Sequence, residues 1–399
     1  MSVVSRHMTA PAVLAIDTLH QQKRIWLSKL MVSNFRNYRQ AQIHIDAPAV
    51  VLTGQNGTGK TNLLEAISLL APGRGMRRAR REHWPNTASA AGHWAVSATL
   101  ESAHGAVQIG SGVAVDAVPA GRVMRLEGQT VSQADIGGYI TVSWLAPHMD
   151  GIFVDSPGAR RRFLDRLVIA FDPAHIGRMA RYEKALRQRA HLLAEGSNDT
   201  AWLQSLEAIL AETAVAVTAA RQILIRDLNQ EAEKGWLGFP GVRLDLVGDT
   251  EGWLADLPAV QVEDKLMAAA KAARLAGDMM MPGPHGSDLQ ALHLASQTPA
   301  YLASTGQQKA LLIAVVLAHA RLQERRLGRP PIMLLDDVAA HLDAGRRSAL
   351  FEAVGLLGGQ CWYSGSDPQQ FDDLVGKAQF ITVRPSRMSD QTPELEVKR

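Results

Sequence analysis

Eight residues, Gly54-Gln55-Asn56-Gly57-Thr58-Gly59-Lys60-Thr61, stand between an apolar run at 49–53 and a stretch of helical apolar spacing at 61–70. Their spacing is G-x-x-x-x-G-K-T, a phosphate-binding turn when a buried strand leads in and a helix leads out. The glycines let the backbone fold tightly, so that N–H groups converge on phosphate oxygens. The following helix points its positive end at the same anions. Lys60 supplies a charge for the β- and γ-phosphates, and Thr61 offers a hydroxyl to Mg²⁺. The candidate ATP site therefore runs from Gly54 through Gln55, Asn56, Gly57, Thr58, Gly59, Lys60 and Thr61 to Asn62. The motif commits the chain to an α/β fold with a buried strand beside this turn.

A second element belongs with it. Residues 331–336 read as a buried strand, and Asp336 and Asp337 close it. This resembles a Walker B segment, in which Asp336 holds Mg²⁺ largely through water and Asp337 polarises the attacking water. Both are candidate catalytic residues, and Thr61 and Asp336 are the candidate metal residues. Transporter-type ATPases usually carry Glu at the second acid. Asp337 is one methylene shorter, so slow hydrolysis is expected, with ATP used as a switch.

Ser304-Thr305-Gly306-Gln307-Gln308-Lys309 precedes an apolar helix expected at 305–325. Ser304 is a good N-cap, which is a sufficient structural role. The segment also resembles the signature of ABC ATPases. That resemblance implies that Ser304, Gly306 and Gln307 reach the ATP held by a second copy, giving an ATP-dependent homodimer with two-fold symmetry. Ala340-His341-Leu342-Asp343 falls where that family has its D-loop.

The organisation follows from these anchors. Strands are expected at 25–32, 41–45 and 49–53, several short strands at 94–145, and a further strand at 360–364. Between them the pattern turns helical, with candidates at 158–171, 174–193 and 201–234. The expected architecture is an ABC-ATPase head built from both chain ends, with a mainly helical inserted second domain. Its boundaries are a loosely ordered extension at 1–24, head residues 25–155, a helical insert at 156–280, head residues 281–385 and a flexible tail at 386–399. The single Cys361 rules out an internal disulfide framework and suits a reducing cytoplasm. No run of about 18 apolar residues stands out, so no membrane partner is expected. Apolar residues 10–16 are followed by Asp17 without a small-residue cleavage site, which favours an extension over a leader.

The net charge of +3 says little by itself, but the arginines cluster. Arg74, Arg77, Arg78, Arg80 and Arg81 form the candidate DNA-phosphate patch, the alternative being a solvated turn paired with Glu82. Arg160, Arg161, Arg162 and Arg166 form a second cluster.

Over residues 25–385 the chain resembles the RecF family of bacterial recombination mediators. The resemblance is carried by Leu30-Met31-Val32-Ser33-Asn34-Phe35-Arg36-Asn37-Tyr38, by Pro147-His148-Met149-Asp150, and by Ser156-Pro157 with Arg160-Arg161-Arg162-Phe163-Leu164-Asp165. Gly283-Pro284-His285 and Leu334-Leu335-Asp336-Asp337-Val338 complete it. It implies an ATP-driven dimer on single-stranded, gapped or junction DNA. RecO and RecR would be its partners in loading RecA where single-strand binding protein coats a gap, with support of SOS induction. The chain departs from the family pattern at Gly75, Gly286, His341 and Ser364. An ATPase subunit of another SMC-like DNA-processing or defence system is the alternative, but no nuclease module or sustained heptad pattern is present.

Overall fold

The computed structural model describes residues 25–86, 93–103, 105–113, 121–196, 199–385 and 393–398. The expected extension at 1–24 and most of the expected tail lie outside the described residues. The chain divides into two compact units, Met1–Pro147 with Gln323–Arg399, and His148–Leu322.

The first unit holds a six-stranded sheet in the order Glu394–Lys398, Gln379–Arg384, Ala49–Thr53, Cys361–Gly365, Ile332–Asp336 and Val142–Leu145. All neighbours pair in parallel except the outermost pair, Gln379–Arg384 with Glu394–Lys398. Ile332–Asp336 and Cys361–Gly365 are buried at every position, which is why neither alternates apolar with polar residues. The expectation of an α/β head assembled from both chain ends is met in this sheet, since its strands come from residues below 150 and above 330. A second, antiparallel sheet runs in the order Tyr38–His44, Trp26–Phe35, Ala95–Ser102, Gly105–Val113, Arg122–Leu126 and Gln129–Val131. The short helix Gln133–Gly137, absent from the sequence reading, is started by a reciprocal capping box of Ser132 and Asp135.

The second unit centres on the helices His175–Ala194, Thr200–Ala232 and Ala259–Leu275, which share one apolar core around Tyr182, Leu206, Leu210, Ala214, Val262 and Leu266. It also holds a three-stranded sheet of Val242–Val247, Asp288–His293 and Thr298–Pro299. Its limits are wider than the 156–280 expected for the insert. Of the residues 281–385 expected in the head, 281–322 cluster here rather than with the others. Two contacts tie them in: Lys309 Nζ pairs with Asp150 at 3.2 Å, and the His319 ring meets the Leu167 carbonyl at 3.0 Å.

Two short segments that carried the family resemblance, 156–165 and 283–285, are stitched together in this unit with the adjoining Ser287 and Asp288. Arg160 forks onto Asp288 at 2.7 and 2.8 Å, and Arg161 donates to the Ser287 carbonyl. Arg221 forks onto buried Asp165 and donates to the Pro284 carbonyl. Tyr182 Oη lies 2.5 Å from His285 Nδ1. Arg160 and Arg161 are thus committed to internal partners.

Two readings change. Helix Thr200–Ala232 is long and apolar enough to cross a membrane by length and composition, contrary to the expectation that no such stretch exists. It is a core helix: 56% of its apolar window is buried, and Glu207, Arg221, Asp227 and Glu231 lie buried along it, in ion pairs. In the expected tail, Glu394–Lys398 is a strand, because the ladder to Gln379–Arg384 and the Arg384–Glu396 ion pair at 2.5 Å give it partners.

Candidate nucleotide-binding site

The phosphate loop connects the buried strand Ala49–Thr53 to the helix Lys60–Ser68. Gly57 and Gly59 take φ of 82° and 115°, a region that disfavours any side chain. At Gly59 space is closed as well, since a Cβ would lie 2.6 Å from Asn37 Nδ2 and 2.8 Å from Tyr38 Oη. Thr58 closes the turn by donating its hydroxyl to the Gln55 carbonyl at 2.9 Å. Gln55, Asn56 and Gly57 are exposed, whereas Thr58, Gly59 and Lys60 are buried. The Lys60 ammonium donates to the carbonyls of Gly54 at 2.6 Å and Gln55 at 2.8 Å, so it lies across the loop. Burial lowers its pKa from the ordinary value, and the nearby carboxylates of Asp337 and Asp336 oppose that shift.

The acids meet this loop from the sheet. Thr61 Oγ1 donates to Asp336 Oδ1 at 2.8 Å, across 275 positions of sequence. Ser364 is the register partner of Asp336 on the neighbouring strand, and its hydroxyl donates to the same Oδ1 at 2.7 Å. The Asp337 N–H in turn donates to Ser364 Oγ at 3.1 Å and to the Ser364 carbonyl at 3.2 Å. Asp337 sits at φ 52°, a strained conformation for a non-glycine residue. Its Oδ1 is buried with no hydrogen-bond partner among the described residues, a costly state in an inert position and the kind that clusters at working sites. Ser364 therefore orders both acids. Sequence reading noted it only as a departure, because strand register is invisible without the pairing.

The hydroxyl of Thr61 and carboxylate of Asp336 form an all-oxygen donor pair, the chemistry that suits Mg²⁺. No group of three or more His, Cys, Asp or Glu able to hold a metal exists among the described residues. A hard cation here would draw its other ligands from phosphate oxygens and water, as Mg²⁺ does in nucleotide sites.

A further ring of polar side chains supports the loop. The turn after Trp26–Phe35 places Asn37 and Tyr38 against it: Asn37 Nδ2 donates to the Thr58 carbonyl at 3.0 Å, and Tyr38 Oη to the Gly59 carbonyl at 3.2 Å. Asn62 Nδ2 donates to Asn37 Oδ1 at 2.7 Å. Glu65, on the same helix and 1% exposed, is held by a two-pronged contact from Arg36 at 2.7 and 2.9 Å.

The arginine patch is exposed at all five positions. Its loop is anchored beneath by Arg122, which donates to the carbonyls of Leu69, Ala71 and Gly73. Burial, and then the charge of Arg81, lower the Arg122 pKa to about 10. Arg80 pairs loosely with Glu82 at 3.6 Å. Arg77 donates to Asn62 Oδ1 at 2.8 Å.

Ser304, Gly306 and Gln307 are exposed at the start of helix Thr305–Leu327, in the other unit. Gln307 N donates to Ser304 Oγ, and Ser304 N to Gln307 Oε1 at 3.0 Å, a reciprocal cap that fixes the helix end.

The family model described as the RecF/RecN/SMC N-terminal domain matches residues 26–361. The chain is 45% identical over 363 residues to the DNA replication and repair protein RecF of Mesorhizobium japonicum, covering 90% of this chain and 96% of that one. Its fold is similar to a solved structure of the recombination mediator protein RecF-ATPrS of the RecFOR pathway. There the TM-score is 0.78 at 21% identity, covering 94% of this chain and 99% of that one. A companion RecF-ATP structure gives a TM-score of 0.75 at 22% identity, covering 93% and 99%.

Proposed function

Because this chain belongs to the RecF family of DNA replication and repair proteins, we propose that it is an ATP-switched DNA-binding protein of recombinational repair. The observation that carries the reading is the 2.8 Å contact between Thr61 and Asp336, which sets a hydroxyl and a carboxylate together beside the glycine turn. Gly54–Thr61 and Asn62 bind the triphosphate, with Lys60 leaving its own loop carbonyls for phosphate oxygens. Thr61 and Asp336 hold Mg²⁺, which when bound neutralises charge on the β- and γ-phosphates. Asp337 orients the attacking water through the carboxylate oxygen that has no partner among the described residues. Its short side chain keeps turnover slow, so that bound ATP has time to act as a signal.

Two copies close on nucleotide, with Ser304, Gly306 and Gln307 of a second copy capping the γ-phosphate. A helix N-terminus held rigid by its own cap needs no reorganisation to meet that anion. The closed dimer holds single-stranded gaps and junctions through Arg74, Arg77, Arg78, Arg80 and Arg81, and acts in the cytoplasm with RecO and RecR to load RecA where single-strand binding protein covers the gap. DNA-stimulated hydrolysis releases it.

The test is sedimentation and gapped-duplex binding of the full chain with ATP, without nucleotide, and as Lys60→Met. Wild type should dimerise and bind DNA only with ATP, and Lys60→Met should do neither. A wild-type chain that stays monomeric with ATP and ignores gapped DNA would overturn the reading.

A further inference from the structure

The arginine loop and the phosphate loop are joined by a continuous run of side-chain hydrogen bonds. Arg77 Nη1 donates to Asn62 Oδ1 at 2.8 Å, Asn62 Nδ2 donates to Asn37 Oδ1 at 2.7 Å, and Asn37 Nδ2 donates to the Thr58 carbonyl at 3.0 Å. Two members of this run lie in elements that the proposed nucleotide site uses. Thr58 is inside the glycine turn, and Asn62 follows Thr61 on the first turn of the helix.

Arg77 is also held in a way that permits release. Its second acceptor, Glu65, is buried, but Arg36 already pairs both Glu65 oxygens at 2.7 and 2.9 Å, while Arg77 stands 3.7 Å away. Withdrawal of Arg77 therefore leaves no uncompensated buried charge, the state that makes breaking a buried pair costly. The Arg77 side chain is 40% exposed, against 82% for Arg80, whose ion pair is with exposed Glu82. One arginine of the patch is thus latched to the nucleotide loop, and Arg80 is not part of that latch.

We propose that Asn62 and Asn37 form a coupling relay, through which nucleotide binding unlatches Arg77 and presents it to a DNA phosphate. This rests on the reading of the arginine loop as a DNA contact. Arg77 then has two alternative sets of acceptors, the Asn62–Glu65 pair or DNA, and the nucleotide biases the choice by resetting Thr58 and Asn62. That is the two-state element a coupling claim requires. Because coupling is reciprocal, DNA must tighten nucleotide binding by the same factor.

The experiment measures the affinity of the full chain for a fluorescent ATP analogue with Mg²⁺, with and without saturating gapped duplex, in wild type, Arg77→Ala and Arg80→Ala. Wild type should show coupling of about tenfold, which Arg77→Ala should reduce to about twofold or less. Arg80→Ala should weaken DNA binding while keeping the wild-type ratio. Without DNA, Arg77→Ala should bind the analogue about fivefold tighter, because the latch it lacks no longer opposes resetting of the loop. Full coupling retained in Arg77→Ala, or equal loss in both variants, overturns the relay. If wild type binds no DNA under any condition, the DNA reading of the arginine loop fails, and the DNA-free arm still decides: a tighter Arg77→Ala supports the latch, and affinity equal to wild type overturns it.

Discussion

Thr61 and Asp336 are 275 positions apart in the chain, yet the hydroxyl of one donates to the carboxylate of the other at 2.8 Å. The contact joins the helix that begins at the phosphate loop to the strand end that carries the acids, and Ser364 shares the same carboxylate oxygen. Under the proposed Mg²⁺ role of Thr61, removing its hydroxyl in Thr61→Ala should weaken ATP binding about tenfold or more in Mg²⁺. In EDTA the difference from wild type should largely vanish. Titration with ATP under both conditions checks this.

Asp337 differs from Asp336 in that its Oδ1 has no hydrogen-bond partner among the described residues. Asp337→Asn should retain ATP binding and lower hydrolysis by about a hundredfold, in the range expected for loss of a general base. Asp337→Glu should raise turnover above wild type by restoring the missing methylene. Steady-state phosphate release with gapped DNA distinguishes the three proteins, and a Glu variant slower than wild type would show that reach is not what limits the rate.

The two loop glycines should respond unequally. Gly57 has open space around its Cα, so Gly57→Ala meets only the backbone penalty, about 1–2 kcal/mol. Gly59→Ala adds a collision with the Asn37 and Tyr38 side chains to a conformation costing about 1–3 kcal/mol by itself. Thermal unfolding should therefore rank wild type above Gly57→Ala above Gly59→Ala, and the last should lose nucleotide binding as well.

Stability should fall in mild acid through His319. Burial lowers its pKa to about 4 despite the opposing hydrogen bond to the Leu167 carbonyl. The folded chain keeps the ring neutral while the unfolded chain protonates it below about pH 6.5. The contribution is therefore complete above pH 6.5 and is lost as the pH falls toward 4, amounting to about 3 kcal/mol in all. Urea midpoints measured at pH 7 and pH 5 should differ more for wild type than for His319→Gln.

How much of this was legible in the sequence depended on whether the signal was local. Gly54–Thr61 and Asp336–Asp337 are contiguous patterns whose residue types are dictated by chemistry, and the apolar runs beside them left little choice of element. The long helices between 157 and 232 were readable from apolar period alone. Ser364, Asn37 and Tyr38 matter because strand register and a tight turn deliver them to the loop, and neither leaves a local mark. Helices Asp249–Asp256 and Ala259–Leu275 were not singled out within the expected helical insert, since Pro258 divides them and the first is only eight residues long. The membrane-length character of Thr200–Ala232 was hidden by its scattered charges, which fold into internal ion pairs.

The placement of the strand Ala49–Thr53 has a consequence for how the protein is made. Its sheet neighbours are Cys361–Gly365 and Gln379–Arg384, so the strand that carries the phosphate loop emerges from the ribosome long before either flank exists. At ordinary rates of synthesis that interval is on the order of tens of seconds. Through it the nascent chain carries a phosphate-loop motif without the acids that complete the site. Truncated products ending before residue 332 lack Asp336 and both flanking strands.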